Sequence, residues 1–137
     1  MSPAERIPRV RLTPIPDGGV FVVRGDELDP ALLADDATAF RERFSEWGRF
    51  GISAFYASSE DEIDAICQTR LVRFEVIIVF ERAALESAGI EVVPTFRTPH
   101  VTLCHVGLDQ LIQRLTACDH ADRLNPYHVP DEGDDQW

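Results

Sequence analysis

The sequence predicts one domain of the α/β or α+β class, in which about four helices cover a sheet of about five strands. Residues 76–80 form the longest unbroken apolar run and are mostly β-branched, which is typical of a strand covered on both faces. Segments of strand length alternate along the chain with segments of helical periodicity. The chain has 137 residues, 45% of them hydrophobic, which is enough for one buried core. We therefore expect residues 74–80 to form the central strand of a helix-covered sheet.

The first part of the chain predicts a loop, a strand and a helix. Residues 1–19 hold four prolines and a Pro-Asp-Gly-Gly turn, so we expect a loop or at most an edge strand. Residues 20–23 predict a short first strand. Asp29 is a favourable N-cap, Pro30 suits the first helical position and Gly48 suits the C-terminus. The predicted helix carries one apolar stripe, formed by Leu33, Ala37, Phe40, Phe44 and Trp47.

The same alternation continues through residues 20–120, which we predict to be the globular part. Residues 51–57 predict a second strand, and Ser59 with Glu62 matches a capping box that begins a helix ending near Thr69. The later predicted elements are a helix at 82–88, strands at 90–93 and 100–106, and a final helix with Leu108, Leu111, Ile112, Leu115 and Cys118 on one stripe.

The charge of the chain narrows the classes of function. All 13 basic residues are arginine and 24 residues are acidic, which gives a net charge of −11. The absence of lysine excludes a Walker-type phosphate loop, a Schiff-base lysine and a lysine general base. The negative charge disfavours direct binding to nucleic acid and favours either solubility or a basic protein partner. Periodicity ends near residue 120, and residues 121–137 are expected to form an irregular acidic tail.

Cysteine usage and hydropathy favour a cytoplasmic protein. Cys67, Cys104 and Cys118 form an odd set without Cys-x-x-Cys spacing, which favours free thiols in a reducing compartment. No apolar run approaches the roughly 20 residues that a transmembrane helix needs, so no membrane association is expected. The histidines and cysteines lack the spacing of a zinc site, and no metal is expected. The sequence leaves homo-oligomerisation open.

Arg24 and Ser53 form the first candidate site. Arg24 stands where the first strand gives way to a glycine, a position that faces a cleft, and its donors suit a pyrophosphate or a carboxylate. Ser53 lies in the second strand, where its small hydroxyl can line the same groove. The chain thus places an arginine at the end of the first strand, then a helix, then a strand that carries a serine. In this order, residues 20–25 and 50–55 resemble the ADP-ribosyltransferase-like toxins. The structural alternative is that Arg24 pairs with a carboxylate of the following turn and Ser53 only fills its strand.

The resemblance implies a role for each residue. It implies that the chain binds NAD, that Arg24 holds the pyrophosphate or ribose, and that Ser53 orients the nicotinamide side. The late catalytic glutamate of the family would be Glu81 or Glu91, which would stabilise an oxocarbenium-like transition state. The chain departs from the family in having Gly-Ile-Ser-Ala-Phe where the serine strand is usually Ser-Thr-Ser, and in lacking an acid two residues before either glutamate. The implied protein is a small ADP-ribosyltransferase-like enzyme, for example the toxin of a toxin–antitoxin pair.

Arg97, His100 and Thr102 form the second candidate site, at a loop-to-strand junction. They offer a cation, a titratable base and a hydroxyl on one rim. The His-x-Thr pattern resembles half of the two-histidine phosphoesterase signature, but that family needs two copies and this sequence has one. The same three residues can instead form an anion-binding lip in the groove of Arg24.

Three classes of function therefore remain. The first is the ADP-ribosyltransferase-like enzyme, the second is a non-catalytic acidic protein-binding module such as an antitoxin, immunity protein or inhibitor, and the third is a small structural domain that oligomerises. An enzyme predicts a cleft in which Arg24, Ser53 and His100 converge on one ligand. A binding module predicts an exposed apolar or acidic patch instead.

Overall fold

The computed structural model describes residues 6–129 as one α+β domain built on a six-stranded sheet. The elements in chain order are β1 (Phe21–Gly25), α1 (Pro30–Arg43), β2 (Phe50–Ala57), α2 (Glu60–Thr69), β3 (Val76–Glu81), α3 (Arg82–Ser87), β4 (Glu91–Pro94), β5 (His100–His105), α4 (Leu108–Ala117) and β6 (His120–Leu124). The strands lie side by side in the order β4-β5-β2-β1-β3-β6, and every neighbouring pair is antiparallel. The predicted class is confirmed, and the antiparallel pairing makes it α+β.

Helices cover both faces of the sheet, and each face has its own buried cluster. The face under α1, α3 and α4 buries Val22, Leu33, Phe80, Leu85 and Leu111, among others. The face under α2 buries Val23, Ile63, Ile66, Ile77 and Val79, among others. The apolar run in β3 therefore contributes to both clusters, as its lack of alternation predicts. Burial of each such Val, Leu, Ile or Phe side chain stabilises the fold by roughly 1.5–3 kcal/mol before conformational entropy is counted.

The sheet differs from the prediction at its β6 edge. The sixth strand, β6, pairs with β3 and lies where the sequence predicts an irregular tail. β6 is an edge strand with mostly exposed side chains, so it lacks the apolar pattern from which strands are predicted. Because β6 covers the outer side of β3, β3 is interior but not central, and β1 and β2 occupy the centre. Asn125 and Val129 then bond to the backbone of Glu75 and Val72, and residues 130–137, including Trp137, lie outside the described residues.

The N-terminal segment, described from Arg6 onward, packs against the domain as a loop. Ile15 belongs to the buried cluster under α1, and Val10 makes an isolated β-bridge with Thr95. Arg11 also donates from its backbone N–H to the carbonyl of Pro94. The contacts of Val10 and Arg11 lie at the end of β4, at the other edge of the sheet.

The helices begin at the residues that the capping pattern predicts. The Asp29 side chain accepts hydrogen bonds from the first turn of α1, and the Ser59 hydroxyl accepts one from the first turn of α2. α1 ends at Arg43, earlier than predicted, because the chain turns at Phe44 and the rings of Phe40, Phe44 and Trp47 pack on one another there. No helix among residues 6–129 is long and apolar enough to cross a lipid bilayer.

A gap between β1 and β2 positions the candidate site. The two strands pair only from Phe21↔Ala57 to Val23↔Phe55. Beyond that point β2 continues toward its N-terminus, and within residues 6–129 its strand partner there is β5 alone. α1 packs against β2. The separation opens a cleft at the end of β1.

Candidate functional site

The gap between β1 and β2 opens into a cleft of about 570 Å³. Residues of β2 and β5 form its floor, the second half of α1 forms one wall, and the connection between α2 and β3 forms the other wall. This volume lies within the range of about 300–1,000 Å³ that is usual for small-molecule sites. Four arginines and four phenylalanines line the cleft, namely Arg24, Arg43, Arg70, Arg73, Phe40, Phe44, Phe55 and Phe74.

Arg24 lies at the base of the cleft, with only 14% of its side chain exposed. Its Nη1 donates to the backbone carbonyl of Ser53 over 3.2 Å, and its Nη2 lies 3.3 Å from a carboxylate oxygen of Asp36. Since β1 does not pair with β2 at Ser53, the guanidinium supplies the donor that a neighbouring strand would otherwise offer. Burial lowers the pKa of Arg24, and the carboxylate of Asp36 opposes that effect. The Nε of Arg24 is buried and has no hydrogen-bond partner among the described residues.

The other three cleft arginines are exposed at the rim, and each stacks on a phenylalanine of the lining. The guanidinium carbon lies 5.3 Å from the ring centroid in Arg43–Phe44, 5.6 Å in Arg70–Phe55 and 5.1 Å in Arg73–Phe74. Contacts within about 6 Å are attractive because the cation faces the negative side of the ring. A stacked guanidinium keeps its N–H groups at its edge, where they can donate to an anion.

Positive charge is concentrated in this cleft against the overall sign of the protein. The net charge of the chain is −11, yet four of its 13 arginines line one cleft. Within residues 6–129, the three rim arginines form no ion pair with a carboxylate. The carboxylates in the lining are Asp26 and Asp36, and Asp36 is paired with Arg24. The lining thus carries four arginines against two carboxylates, and an excess of positive charge in a cleft attracts ligands of the opposite sign, so this cleft suits an anion.

A chain of hydrogen-bonded side chains runs from the cleft into the sheet. The Oγ of Ser53 lies 3.1 Å from Nε2 of His100, and Nδ1 of His100 lies 2.9 Å from Oγ1 of Thr95. The Oγ1 of Thr95 in turn lies 2.7 Å from Oγ1 of Thr102. Ser53 is exposed, whereas both threonines are fully buried. The register explains the approach, because Ser53 opposes Thr102 and Phe55 opposes His100, which makes Ser53 and His100 diagonal neighbours on one face.

His100 is neutral near pH 7. Burial lowers its pKa to about 4, a hydrogen bond to the Thr95 backbone partly opposes that effect, and the charges of Arg11 and Arg70 lower the pKa further. Arg11 also donates to the backbone carbonyls of Thr95 and His100, which fixes the loop before β5. The imidazole packs edge-on against Phe55 and Phe96, with centroids 5.4 and 5.1 Å away. The ring is therefore held in place on several sides, with Nε2 directed at Ser53.

The cleft brings together three of the residues that the sequence singled out. Arg24, Ser53 and His100 all line it, and Thr102 lies beneath them in the sheet at the end of the hydrogen-bonded chain. Arg97 is exposed and is not part of the lining.

Neither of the two candidate glutamates lines the cleft. Glu81 is exposed and pairs with Phe21, at the opposite end of β1 from Arg24. Glu91 is exposed on β4, where its carboxylate lies 2.8 Å from Nε of Arg49.

The rim arginines Arg43, Arg70 and Arg73, and the buried Thr95, were not predicted from the sequence as site residues. The rim arginines lie at a helix end and in a connection, where the local pattern does not separate an arginine facing a cleft from one facing solvent. Arg43 and Arg73 each immediately precede a phenylalanine, and this Arg-Phe dipeptide was the available signal. Thr95 lies in the same polar segment as His100, but only the strand register reveals their contact.

The cysteines take no part in the cleft. Cys67, Cys104 and Cys118 are buried and free. Burial and the nearby carboxylate of Glu91 raise the pKa of Cys104 to about 12, so its thiol is not a nucleophile near neutral pH. No group of three or more His, Cys, Asp or Glu side chains within residues 6–129 is arranged to hold a metal ion.

Comparisons of the chain with protein-family models, with curated proteins and with solved structures give no match. The cleft itself therefore carries the functional evidence.

Proposed function

We propose that the chain is an enzyme that binds a nucleotide in the arginine- and phenylalanine-lined cleft, with NAD and ADP-ribose as the first ligands to test. One observation carries this proposal: four arginines and four phenylalanines line a single cleft on an otherwise acidic protein. The combination matches a ligand that is anionic at one end and aromatic at the other.

The two kinds of lining residue suit the two parts of a nucleotide. Guanidinium groups donate bidentate hydrogen bonds to phosphate oxygens, and such charge-assisted bonds are among the strongest in proteins. Phenylalanine rings and stacked guanidinium planes both offer surfaces on which a base can stack. An inorganic anion would use the arginines but would gain nothing from the rings of Phe40, Phe55 and Phe74. The lining therefore favours a nucleotide over a small anion.

The Arg24–Ser53 resemblance supports NAD in particular, and it implies the role of a toxin in a toxin–antitoxin pair. The same resemblance requires a glutamate beside the reacting ribose, and neither Glu81 nor Glu91 lines the cleft. The carboxylates that do line it are Asp26 and Asp36. The geometry thus supports nucleotide binding more strongly than ADP-ribosyl transfer.

A second candidate function is a protein-binding module with a basic partner, which the charge distribution favours. Outside the cleft lining, which holds four arginines and two aspartates, the rest of the chain carries 22 acidic residues against nine basic ones. Such a surface attracts a basic partner and repels nucleic acid. This function requires no ligand in the cleft, so ligand binding separates the two candidates.

The test is to measure the affinity of the protein for ADP, ADP-ribose and NAD by isothermal titration calorimetry at low salt. We expect wild-type protein to bind at least one of them, and Arg70→Ala and Arg73→Ala each to weaken it about tenfold, which is about 1.4 kcal/mol. Arg123→Ala, which removes the same charge from β6 outside the cleft lining, is the matched control and should leave affinity unchanged. Absence of binding at millimolar nucleotide, or equal loss in the control, would contradict the proposal and favour the protein-binding module.

A further inference from the structure

We propose that Ser53 is the nucleophile, and His100 the general base, of a reaction that transfers a phosphoryl or nucleotidyl group from the bound nucleotide. The substrate class, a phosphoester or phosphoanhydride, rests on the proposed function. The assignment of the two residues rests on their geometry alone. This assignment specifies a class of reaction for the cleft in addition to a class of ligand.

The first support is the contact between the two reacting side chains. The Oγ of Ser53 lies 3.1 Å from Nε2 of His100, which is hydrogen-bond distance for proton transfer. Ser53 is exposed to the cleft, whereas its strand neighbours Ile52 and Ala54 are buried on the opposite face. A serine that is reachable by substrate and bonded to a neutral imidazole is the arrangement that activates a hydroxyl.

The second support is the group that orients the base. His100 can accept the proton of Ser53 at Nε2 only if its own proton is on Nδ1. Nδ1 faces the hydroxyl of Thr95, which can donate onward to Thr102 and so accept from the ring. Thr95 is thus a positioning residue that orients the histidine base, a role that a carboxylate has in other sites with a serine nucleophile.

The third support is the positive charge around the reacting atoms. Arg24 donates to the carbonyl of Ser53 itself, so its guanidinium lies beside the nucleophile. Arg70 lies close enough to His100 to lower the pKa of the imidazole. Arginines in these positions can bind the non-bridging oxygens of a transferring phosphoryl group, which is where charge is stabilised in such reactions. A bound phosphate also opposes the effect of the arginines on His100 and makes the imidazole a stronger base.

The reaction proceeds in two balanced steps. In the first, the Oγ of Ser53 forms a bond to phosphorus, the bond from phosphorus to the leaving oxygen breaks, and His100 moves the serine proton to that oxygen. In the second, His100 takes a proton from water, the water oxygen bonds to phosphorus, and the bond to Oγ breaks as Ser53 regains its proton. No oxidant, reductant or metal is required by this balance.

The test is covalent labelling with a fluorophosphonate probe at pH 7, followed by intact and peptide mass spectrometry. The serine oxygen bonds to phosphorus and fluoride leaves, so the adduct mass reports the nucleophile. We expect one adduct, on Ser53, that is absent in Ser53→Ala and formed about 100-fold more slowly in His100→Gln. Ser58→Ala removes another exposed serine, outside the cleft, and should label at the wild-type rate.

The pH dependence of labelling separates base catalysis from chance reactivity. Because the pKa of His100 is about 4, the wild-type rate should be nearly constant from pH 5.5 to pH 8 and fall only below that range. A serine that reacts without a base should instead gain about tenfold in rate per pH unit. Thr95→Val should lose rate and Thr95→Ser should retain it, since serine keeps the hydroxyl that orients the imidazole.

Failure of this inference is distinguishable from failure of nucleotide binding. Titration of Ser53→Ala and His100→Gln with ADP reports folding and binding without any reaction, and both should still bind ADP if the cleft is intact. Retained ADP binding with no adduct on Ser53, or with an adduct that His100→Gln leaves unaffected, would overturn the assignment of the nucleophile and base. Loss of ADP binding in the arginine variants alone would leave that assignment standing.

Discussion

His100 connects the cleft to the sheet, and most of the chemistry of the site depends on its environment. Its Nε2 faces the exposed hydroxyl of Ser53, and its Nδ1 faces the buried pair Thr95 and Thr102. Burial, more than the nearby positive charges of Arg11 and Arg70, keeps the imidazole neutral. A neutral ring that contacts a serine can accept a proton, whereas a protonated one cannot.

The lowered pKa of His100 predicts a pH dependence of stability. Its pKa is about 4 in the folded protein against 6.5 in the unfolded chain, so between these values the unfolded chain binds the proton and the folded one does not. The contribution of His100 to stability is therefore fully present above pH 6.5 and is lost as the pH falls from 6.5 toward 4. On going from pH 7 to pH 5, we expect the free energy of unfolding, measured by urea denaturation, to fall by about 1 kcal/mol more in wild type than in His100→Gln. This figure already includes a reduction because the ring is partly exposed to solvent. Equal losses in both proteins would show that His100 titrates normally.

The central residues of the site can be recognised in the sequence, whereas the arginines of its rim cannot. Arg24, Ser53 and His100 are polar residues at strand positions, where the pattern predicts apolar ones, and such exceptions can be recognised in a sequence. Arg70 and Arg73 lie in a connection where charged residues are ordinary, so only the fold reveals that they face the cleft. Their contribution depends on long-range packing, which no local pattern contains.

At the scale of elements, the early separation of β1 from β2 creates the cleft. β2 pairs with β1 over three residues and with β5 over six. α1 packs against β2, and the Phe40 ring of α1 reaches the floor at Gly51 because Gly51 has no side chain there. A Cβ built on Gly51 would lie 2.7 Å from the ring of Phe40 and 2.7 Å from Cγ2 of Thr102, which is closer than van der Waals contact.

Gly51→Ala is therefore expected to destabilise the protein and to distort the cleft. The added methyl group must displace the Phe40 ring or the strand, which typically costs about 1–3 kcal/mol. Gly18→Ala is the matched control, since a Cβ there meets its nearest atom, the Ser58 Oγ, at an ordinary 3.7 Å. Urea denaturation measures both variants, and equal stability of the two would mean that Phe40 does not occupy the floor as described.

Most elements of the fold could be predicted, whereas the topology could not. The caps at Asp29 and Ser59 and the apolar run of β3 depend on local chemistry, so the sequence contains them directly. β6 is an exposed edge strand whose pairing with β3 supplies most of its order, so its sequence resembles a loop. The central position of β1 and β2 likewise follows from pairing between distant segments, which periodicity does not specify.

At the scale of the whole molecule, the uneven distribution of charge supports a ligand site. A net charge of −11 with 13 arginines and no lysine leaves the cleft as a positively lined region on an acidic protein. Such a site attracts an anionic ligand over distances up to the Debye length, about 8 Å at physiological ionic strength. Nucleotide affinity should therefore decrease as salt increases. It should decrease more steeply for wild type than for Arg70→Ala.

The most direct measurement is an NMR titration of the uniformly ¹⁵N-labelled chain with ADP, followed through the backbone amide resonances. The largest shifts should occur at Gly25, Ser53 and His100 and along residues 70–74, with little change at β6 or at α3, which lie outside the cleft. Such a map would show the nucleotide between the arginines and phenylalanines, beside the serine and histidine. Shifts confined to another surface, or none at millimolar ADP, would contradict the assignment of this cleft as a nucleotide site.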